Sequence, residues 1–153
     1  MPTDEQPSAS DVIRYDSALD AVDWVGLVRD LENDEFHNGR SPVELETSFR
    51  NSQVVALAWS GDRIVGTARA LSDGVCNTYV IDVWTQSGYR RRGVARRMME
   101  TIESAVTGQH VFLTTHDAAH LYEALGYERD GVAFGKVAGL WLGRFPPRPP
   151  RVP

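Results

Sequence analysis

Arg90, Arg91 and Arg92 run directly into Gly93-Val94-Ala95, where the spacing of apolar residues changes from that of a strand to that of a helix. A strand, a tight basic turn and the first turn of a helix together make a cradle for an anion. The leading N–H groups of a helix lack internal partners, and the macrodipole gives that end about half a positive charge, so a phosphate fits there. Gly93 lets the backbone approach a phosphate with no Cβ in the way, Ala95 keeps the opening turn close, and the three arginines add charge. Charge alone would equally describe a solvated turn; glycine and alanine at this spacing after a strand favour the cradle.

The elements that position this turn are legible on both sides of it. Upstream, residues 77–86 form the third strand of a meander, with Tyr79, Ile81, Val83 and Thr85 on one face and Val80, Asp82 and Trp84 on the other. Apolar residues on both faces make it a central strand. Before it, 54–59 and 63–71 are rich in strand formers and joined by Ser60-Gly61-Asp62 as an antiparallel hairpin, and Ser72-Asp73-Gly74 reverses the chain again. Downstream, Val94, Met98, Ile102 and Val106 recur every fourth residue, with Arg96, Arg97, Glu100 and Glu103 outside that stripe. A strand at 110–115, a short helix at 117–125 stopped by Gly126, and one or two closing strands within 127–142 complete the pattern.

Nearer the amino terminus, Val12 and Ile13 start a short edge strand, and Val22, Trp24, Val25, Leu27, Val28 and Leu31 share one helical stripe. Ser41-Pro42-Val43-Glu44 is a capping box with proline at the first helical position, opening a second helix that buries Leu45 and Phe49 and ends near Asn51. Helices, a meander, then alternating strands and helices describe an α+β fold, with helices on both faces of a mostly antiparallel sheet.

At 153 residues and 42% hydrophobic content the chain suits one domain, expected over 11–145, between a disordered lead-in at 1–10 and a proline-rich tail at 146–153. No run approaches the roughly 20 apolar residues of a membrane span, and the opening residues are acidic and polar, so a cytoplasmic protein is expected. Cys76 is the single cysteine, which excludes an intramolecular disulfide and a cysteine metal cluster, and no metal-ligand spacing occurs. The net charge of −5 opposes sequence-independent binding of nucleic acid and tolerates a cationic small substrate.

Arg90-x-x-Gly93-x-Ala95 resembles the (Gln/Arg)-x-x-Gly-x-(Gly/Ala) motif of the GNAT superfamily of acyl-CoA transferases. The strand Ile81-Asp82-Val83-Trp84-Thr85 before it and Leu121-Tyr122-Glu123-Ala124-Leu125-Gly126-Tyr127 after it are similar to the family's flanking segments, and the likeness covers roughly 54–137. It implies a mixed, mostly antiparallel sheet of about six or seven strands flanked by about four helices, with a V-shaped splay between the strands 77–86 and 110–115. It implies acetyl-CoA as co-substrate, no metal, a small-molecule amine as acceptor and, as dimers are frequent in the family, a homodimer. On the residues, the backbone of Val83, Trp84 and Thr85 would take the amide arm of pantetheine as an added strand, and a β-bulge near 83–85 would free N–H groups for it. Arg90, Arg91, Arg92, Gly93, Val94 and Ala95 would hold the pyrophosphate. Thr115 falls where many relatives have asparagine, which puts its cofactor contact in question.

Transfer of an acetyl group to an amine needs a neutral nucleophile, a stabilised oxyanion and a proton for the departing thiolate. Tyr122 matches the tyrosine that protonates that sulfur in many relatives; its plainer reading is a core tyrosine. Asp82, mid-strand among apolar residues, is the expected base, because desolvation would raise its pKa. His116, after the following strand, and a water chain stay open as alternatives. Asp30, Glu32, Asp34 and Glu35 gather before His37, as a negative rim for a cationic acceptor or as a solubilising loop. Rival readings are an acyl-CoA sensor without chemistry, an acetyltransferase for protein or peptide amines, and a nucleic-acid module using the arginines.

Overall fold

The computed structural model describes residues 12–146, which divide into two compact units, one ending at Phe112 and one beginning at Leu113. The expected lead-in and most of the tail lie outside the described residues. In the first unit the order is β1 (Ile13–Asp16), α1 (Trp24–Asn33), α2 (Pro42–Arg50), β2 (Val54–Ser60), β3 (Arg63–Ser72), β4 (Asn77–Thr85), a 3-10 turn (Ser87–Tyr89), α3 (Val94–Ala105) and β5 (His110–Phe112). The five strands form one sheet in sequence order, antiparallel from β1 to β4 and parallel between β4 and β5.

Local chemistry explains the helix starts. Ser41 Oγ accepts from the Glu44 N–H while Glu44 returns a carboxylate oxygen to the Ser41 N–H at 2.7 Å, so the capping box forms as expected. Asp23 caps α1 by accepting from the Gly26 N–H at 3.0 Å. α3 opens on Gly93, whose φ of 76° is a left-handed conformation that glycine adopts without the steric cost of a Cβ.

The two faces of the sheet are built differently. Val55, Leu57, Trp59, Ile64 and Trp84 meet Leu27 and Leu31 of α1 and Leu45 and Phe49 of α2 in one buried cluster. On the opposite face β2 and β3 present Ala56, Ala58, Gly66, Ala68 and Ala70, a floor of small residues in which Ala56 lies opposite Ala68 and Ala58 opposite Gly66. α3 packs on β2 and β3 with Val94, Met98, Met99 and Ile102 buried. A Cβ on Gly66 would stand 2.9 Å from Val94 Cγ1 and 3.1 Å from Met98 Cε, so the floor sets how closely the first turns of α3 approach.

Three expectations are corrected. Between Thr67 and Arg69 of β3 stands one residue, whereas Ile81 and Trp84 of β4 are separated by two, so β4 bulges at Asp82 and Val83. The bulge lies just ahead of the anticipated 83–85 and reverses the facing of the residues after it: Trp84 shares the face of Ile81 and enters the α1–α2 core. β5 stops at Phe112 rather than at residue 115, and its ladder with β4 ends at the Tyr79–Phe112 pair, so that among the described residues the outer edge of 80–85 has no strand partner.

The second unit contains α4 (Ala119–Ala124) and, among the described residues, no strand where closing strands were expected over 127–142; a single bridge joins Trp141 to Phe145. Gly131, Gly139 and Gly143 take φ of 71°, 74° and 71°, and Leu142 takes 52°, which breaks up extended backbone. Among the described residues five strands therefore stand where six or seven were expected.

Gly66→Ala tests the floor beneath α3. The added methyl should destabilise the protein by about 1–3 kcal/mol through overpacking, read as a lower urea midpoint with an unchanged slope; an unaltered midpoint would show that α3 has room to withdraw.

Candidate active site

The turn between β4 and α3 is fastened from several sides. The Gln86 N–H donates to the Val65 carbonyl at 2.8 Å, and the Tyr89 hydroxyl pairs with Ser60 Oγ at 3.0 Å. Asp34, at the end of α1, accepts from the Ser87 N–H at 2.9 Å and from Trp84 Nε1 at 3.0 Å, and stands 3.7 Å from Arg90 Nη2. Arg90 Nε donates to the Thr85 carbonyl at 3.1 Å, and the Arg92 guanidinium lies 5.2 Å over the Tyr89 ring.

Beyond these fastenings the backbone is open. Arg91 at φ 62° and Gly93 at φ 76° alternate with Arg92, and the N–H groups of residues 91–96 have no acceptor among the described residues. Arg90, Arg91 and Arg92 are exposed, and nothing stands within 4 Å of the position a Gly93 Cβ would take. A run of acceptor-free donors at the positive end of a twelve-residue helix has the donors and the dipole to take an anion. Next to it, Thr85 Oγ1 and Gln86 Oε1 are buried without a hydrogen-bond partner among the described residues.

Asp82 is placed differently from what its sequence surroundings suggested. Its backbone adopts φ 53° at the bulge, its carbonyl accepts from Thr67 Oγ1 at 2.8 Å, and its carboxylate is gripped by two guanidiniums. Arg40 donates Nη1 and Nη2 to the two oxygens at 2.9 Å each, and Arg69 donates Nε at 2.6 Å. Burial alone would raise this carboxyl's pKa, but Arg40 and then Arg69 outweigh it and hold the pKa below the ordinary aspartate value. The expected raised pKa is thus reversed, and with it the physical ground for choosing Asp82 as a base.

The acidic group before His37 is also redistributed. Asp30 is 6% exposed and paired with Arg63 at 3.0 Å, and Asp34 is committed to the turn. Glu32 and Glu35 are exposed. Two of the four carboxylates of the anticipated rim therefore have internal partners.

Within the second unit, Thr115 is exposed and its hydroxyl accepts from the Ala118 N–H at 3.1 Å, ahead of α4; His116 is exposed. Tyr122 is 8% exposed and meets Tyr127 edge-on, centroids 5.8 Å apart. Burial, with a smaller contribution from Asp117, pushes its pKa up to about 12, so the phenol stays protonated at neutral pH. Its hydroxyl has no hydrogen-bond partner among the described residues.

Arg40 and Arg69 went unnoticed in the sequence, and Asp34 was read only as part of the acidic rim. Arg69 carried a usable signal, since an arginine at the centre of a strand as apolar as Ile64-Val65-Gly66-Thr67-Ala68 requires a buried anion, and Asp82 is the carboxylate on the neighbouring strand. Arg40 and Asp34, in loops 42 and 50 positions from their partners, carried none.

Comparison with known proteins agrees with this geometry. Residues 24–127 match the family model described as Acetyltransferase (GNAT) family. No curated protein gives a significant match. Among solved structures, a candidate acetyltransferase of Deinococcus radiodurans R1 superposes with a TM-score of 0.70 at 25% identity, over 84% of this chain and 90% of its own. Glucosamine-6-phosphate N-acetyltransferase of Arabidopsis thaliana has a TM-score of 0.62 at 14% identity, over 82% and 98%. An aminoglycoside acetyltransferase from an uncultured soil metagenomic sample, solved with trehalose, has 0.61 at 19%, over 84% and 96%. With a family model spanning more than half of its length, and with the donor-lined turn between β4 and α3 at the place its motif prescribes, the chain belongs to the GNAT family of acetyltransferases.

Proposed function

We propose that the protein is an N-acetyltransferase that moves the acetyl group of acetyl-CoA to a primary amine of a small molecule, by direct attack in a ternary complex. The observation that carries this reading is the run of acceptor-free N–H groups over 91–96, set between the unpaired edge of β4 and the first turn of α3. The names of two structural neighbours, acting on glucosamine-6-phosphate and on aminoglycosides, support an amine-bearing small molecule as acceptor.

In this reading the N–H groups of Arg91 to Ala95 hold the diphosphate, and Arg90, Arg91 and Arg92 neutralise its charge. Val83 and Trp84 meet the amide arm through their backbone, the Trp84 indole being committed to Asp34. Thr85 contributes its unpartnered hydroxyl, because its carbonyl already accepts from Arg90. Thr115 has a hydroxyl where an amide would reach further.

For the transfer itself the amine nitrogen attacks the thioester carbonyl carbon, the C–S bond breaks, and the sulfur takes the Tyr122 proton. The attacking nitrogen, cationic once bonded to carbon, gives its proton to His116 or to water, and Tyr122 regains a proton from solvent. Asp82, held ionised by Arg40 and Arg69, serves as the positioning carboxylate of the bulge; a carboxylate with its pKa pushed down is a poor proton acceptor.

Several measurements bear on this. Acetyl-CoA at a hundredfold excess over its dissociation constant should stabilise the protein by about 2.7 kcal/mol in a melting assay, and an unmoved transition would remove the CoA reading. Tyr122→Phe should lower turnover about tenfold to 10³-fold with unchanged circular dichroism, and the rate of the native protein should show no limb from this phenol between pH 7 and 10 (a pKa near 12 leaves it protonated there). Asp82→Asn should cost about 3–5 kcal/mol of stability by stranding two buried guanidiniums. Because the folded pKa of Asp82 is depressed, its stabilisation is complete above the unfolded value and is lost as pH falls through the folded one. The urea midpoint of the native protein should therefore drop below about pH 4 by an amount that Asp82→Asn does not show.

A further inference from the structure

We infer that Asp34 is a positioning residue for acetyl-CoA: without touching the cofactor, its carboxylate presets the turn whose N–H groups take the diphosphate. This rests on the acetyl-transfer reading above and adds a determinant of cofactor affinity that stands outside Arg90-x-x-Gly93-x-Ala95.

Three contacts converge on one atom. Asp34 Oδ2 accepts from Trp84 Nε1 at 3.0 Å and from the Ser87 N–H at 2.9 Å, and it is the oxygen 3.7 Å from Arg90 Nη2. These donors belong to the end of β4, the first residue of the 3-10 turn and the residue that follows that turn. Gln86, at the N-cap of the 3-10 turn, makes no side-chain cap hydrogen bond among the described residues. Asp34, 53 positions from Ser87, supplies the acceptor that such a start requires. The Asp34 side chain is 9% exposed and Trp84 2%, so the bond to the indole is sheltered from water.

The helix that carries Asp34 does not account for its carboxylate. Asp34 stands at the C-cap of α1, where the negative end of the helix dipole disfavours an acid, and α1 has no basic residue in its last turn. Its backbone N–H is tied to the Asp30 carbonyl at 3.2 Å, so the side chain starts from a fixed place. What it holds is the approach to the donor run. Arg90 is folded back, Nε on the Thr85 carbonyl and Nη2 toward Asp34, and Arg91 at φ 62° and Gly93 at φ 76° follow directly. Donors already fixed in place bind an anion without the cost of ordering them first. Charge alone works the other way, because a carboxylate near a diphosphate repels it. Removal of Asp34 therefore has opposite signs under positioning and under simple electrostatics.

The test titrates the whole chain with acetyl-CoA in a calorimeter. Asp34→Ala should weaken binding by about ten- to hundredfold, the range of a lost charge-assisted hydrogen bond. Turnover at saturating acetyl-CoA should stay within about threefold, as for a group that acts on binding and not on the chemical step. Asp34→Asn keeps an acceptor oxygen for both N–H groups and drops the charge, and it should recover most of the loss. Asp16→Ala is the matched control: Asp16 accepts from the other buried indole, Trp59 Nε1, at 2.8 Å, but lies on β1. It should lower the urea midpoint and leave the affinity for acetyl-CoA unaltered.

A second arm uses the native protein and so does not depend on a variant that folds. Coupling between a ligand and the contact that favours it is reciprocal, so acetyl-CoA should slow hydrogen exchange at the Trp84 indole more than at the Trp59 indole. Acetyl-CoA bound as tightly or more tightly by Asp34→Ala would overturn the inference and leave acetyl transfer standing. Equal losses in Asp34→Asn and Asp34→Ala, a like loss in Asp16→Ala, or equal slowing at the two indoles would overturn it likewise. Failure of the native protein to bind acetyl-CoA would overturn the acetyl-transfer reading and this inference with it.

Discussion

The ion pairing of Asp82 with Arg40 and Arg69 is the interaction on which the arrangement of this site depends. It holds a non-glycine residue at positive φ in the middle of a strand, a conformation that needs compensation from its surroundings. It ties together the loop before α2, the end of α2 through Ser48 and Ser52, the centre of β3 and the bulge of β4. The bulge in turn sends Trp84 into the α1–α2 core, where its indole reaches Asp34. Asp34 then holds Ser87 and Arg90, so the basic turn is positioned by a chain of contacts that starts at Asp82.

This connectivity separates two kinds of positive charge. The arginines of the turn stand in solvent around backbone donors, suited to a highly charged and well hydrated diphosphate. Arg40 and Arg69 are withdrawn from water and spend their charge on the Asp82 carboxylate, which they hold ionised. Tyr122, likewise buried, keeps its proton for the same reason that burial would penalise a phenolate.

Local chemistry was legible in the residues, and long-range pairing was not. The Ser41–Glu44 capping box, the glycine hairpin at Ser60-Gly61-Asp62, the opening of α3 at Gly93 and the strand-turn-helix of the cradle all depend on neighbours a few positions apart. The charge state of Asp82 depends on residues 13 and 42 positions away, and desolvation, which alone was visible, pointed in the wrong direction. The facing of Trp84 was misread because one extra residue in a strand inverts every alternation beyond it. Over 127–142 closing strands were expected, but glycines at positive φ interrupt the extended backbone.

The alanine and glycine floor under α3 ties interior packing to the reach of the basic turn. Since Val94 rests on Gly66 one residue after the left-handed Gly93, the height of the helix above the sheet is also the height of its donor-bearing end. A bulkier side chain anywhere in that floor lifts or tilts the helix and carries those donors with it. Sequence drift at these small, hidden positions would then surface as altered placement of those donors, even in variants whose thermal endurance had been restored by changes elsewhere.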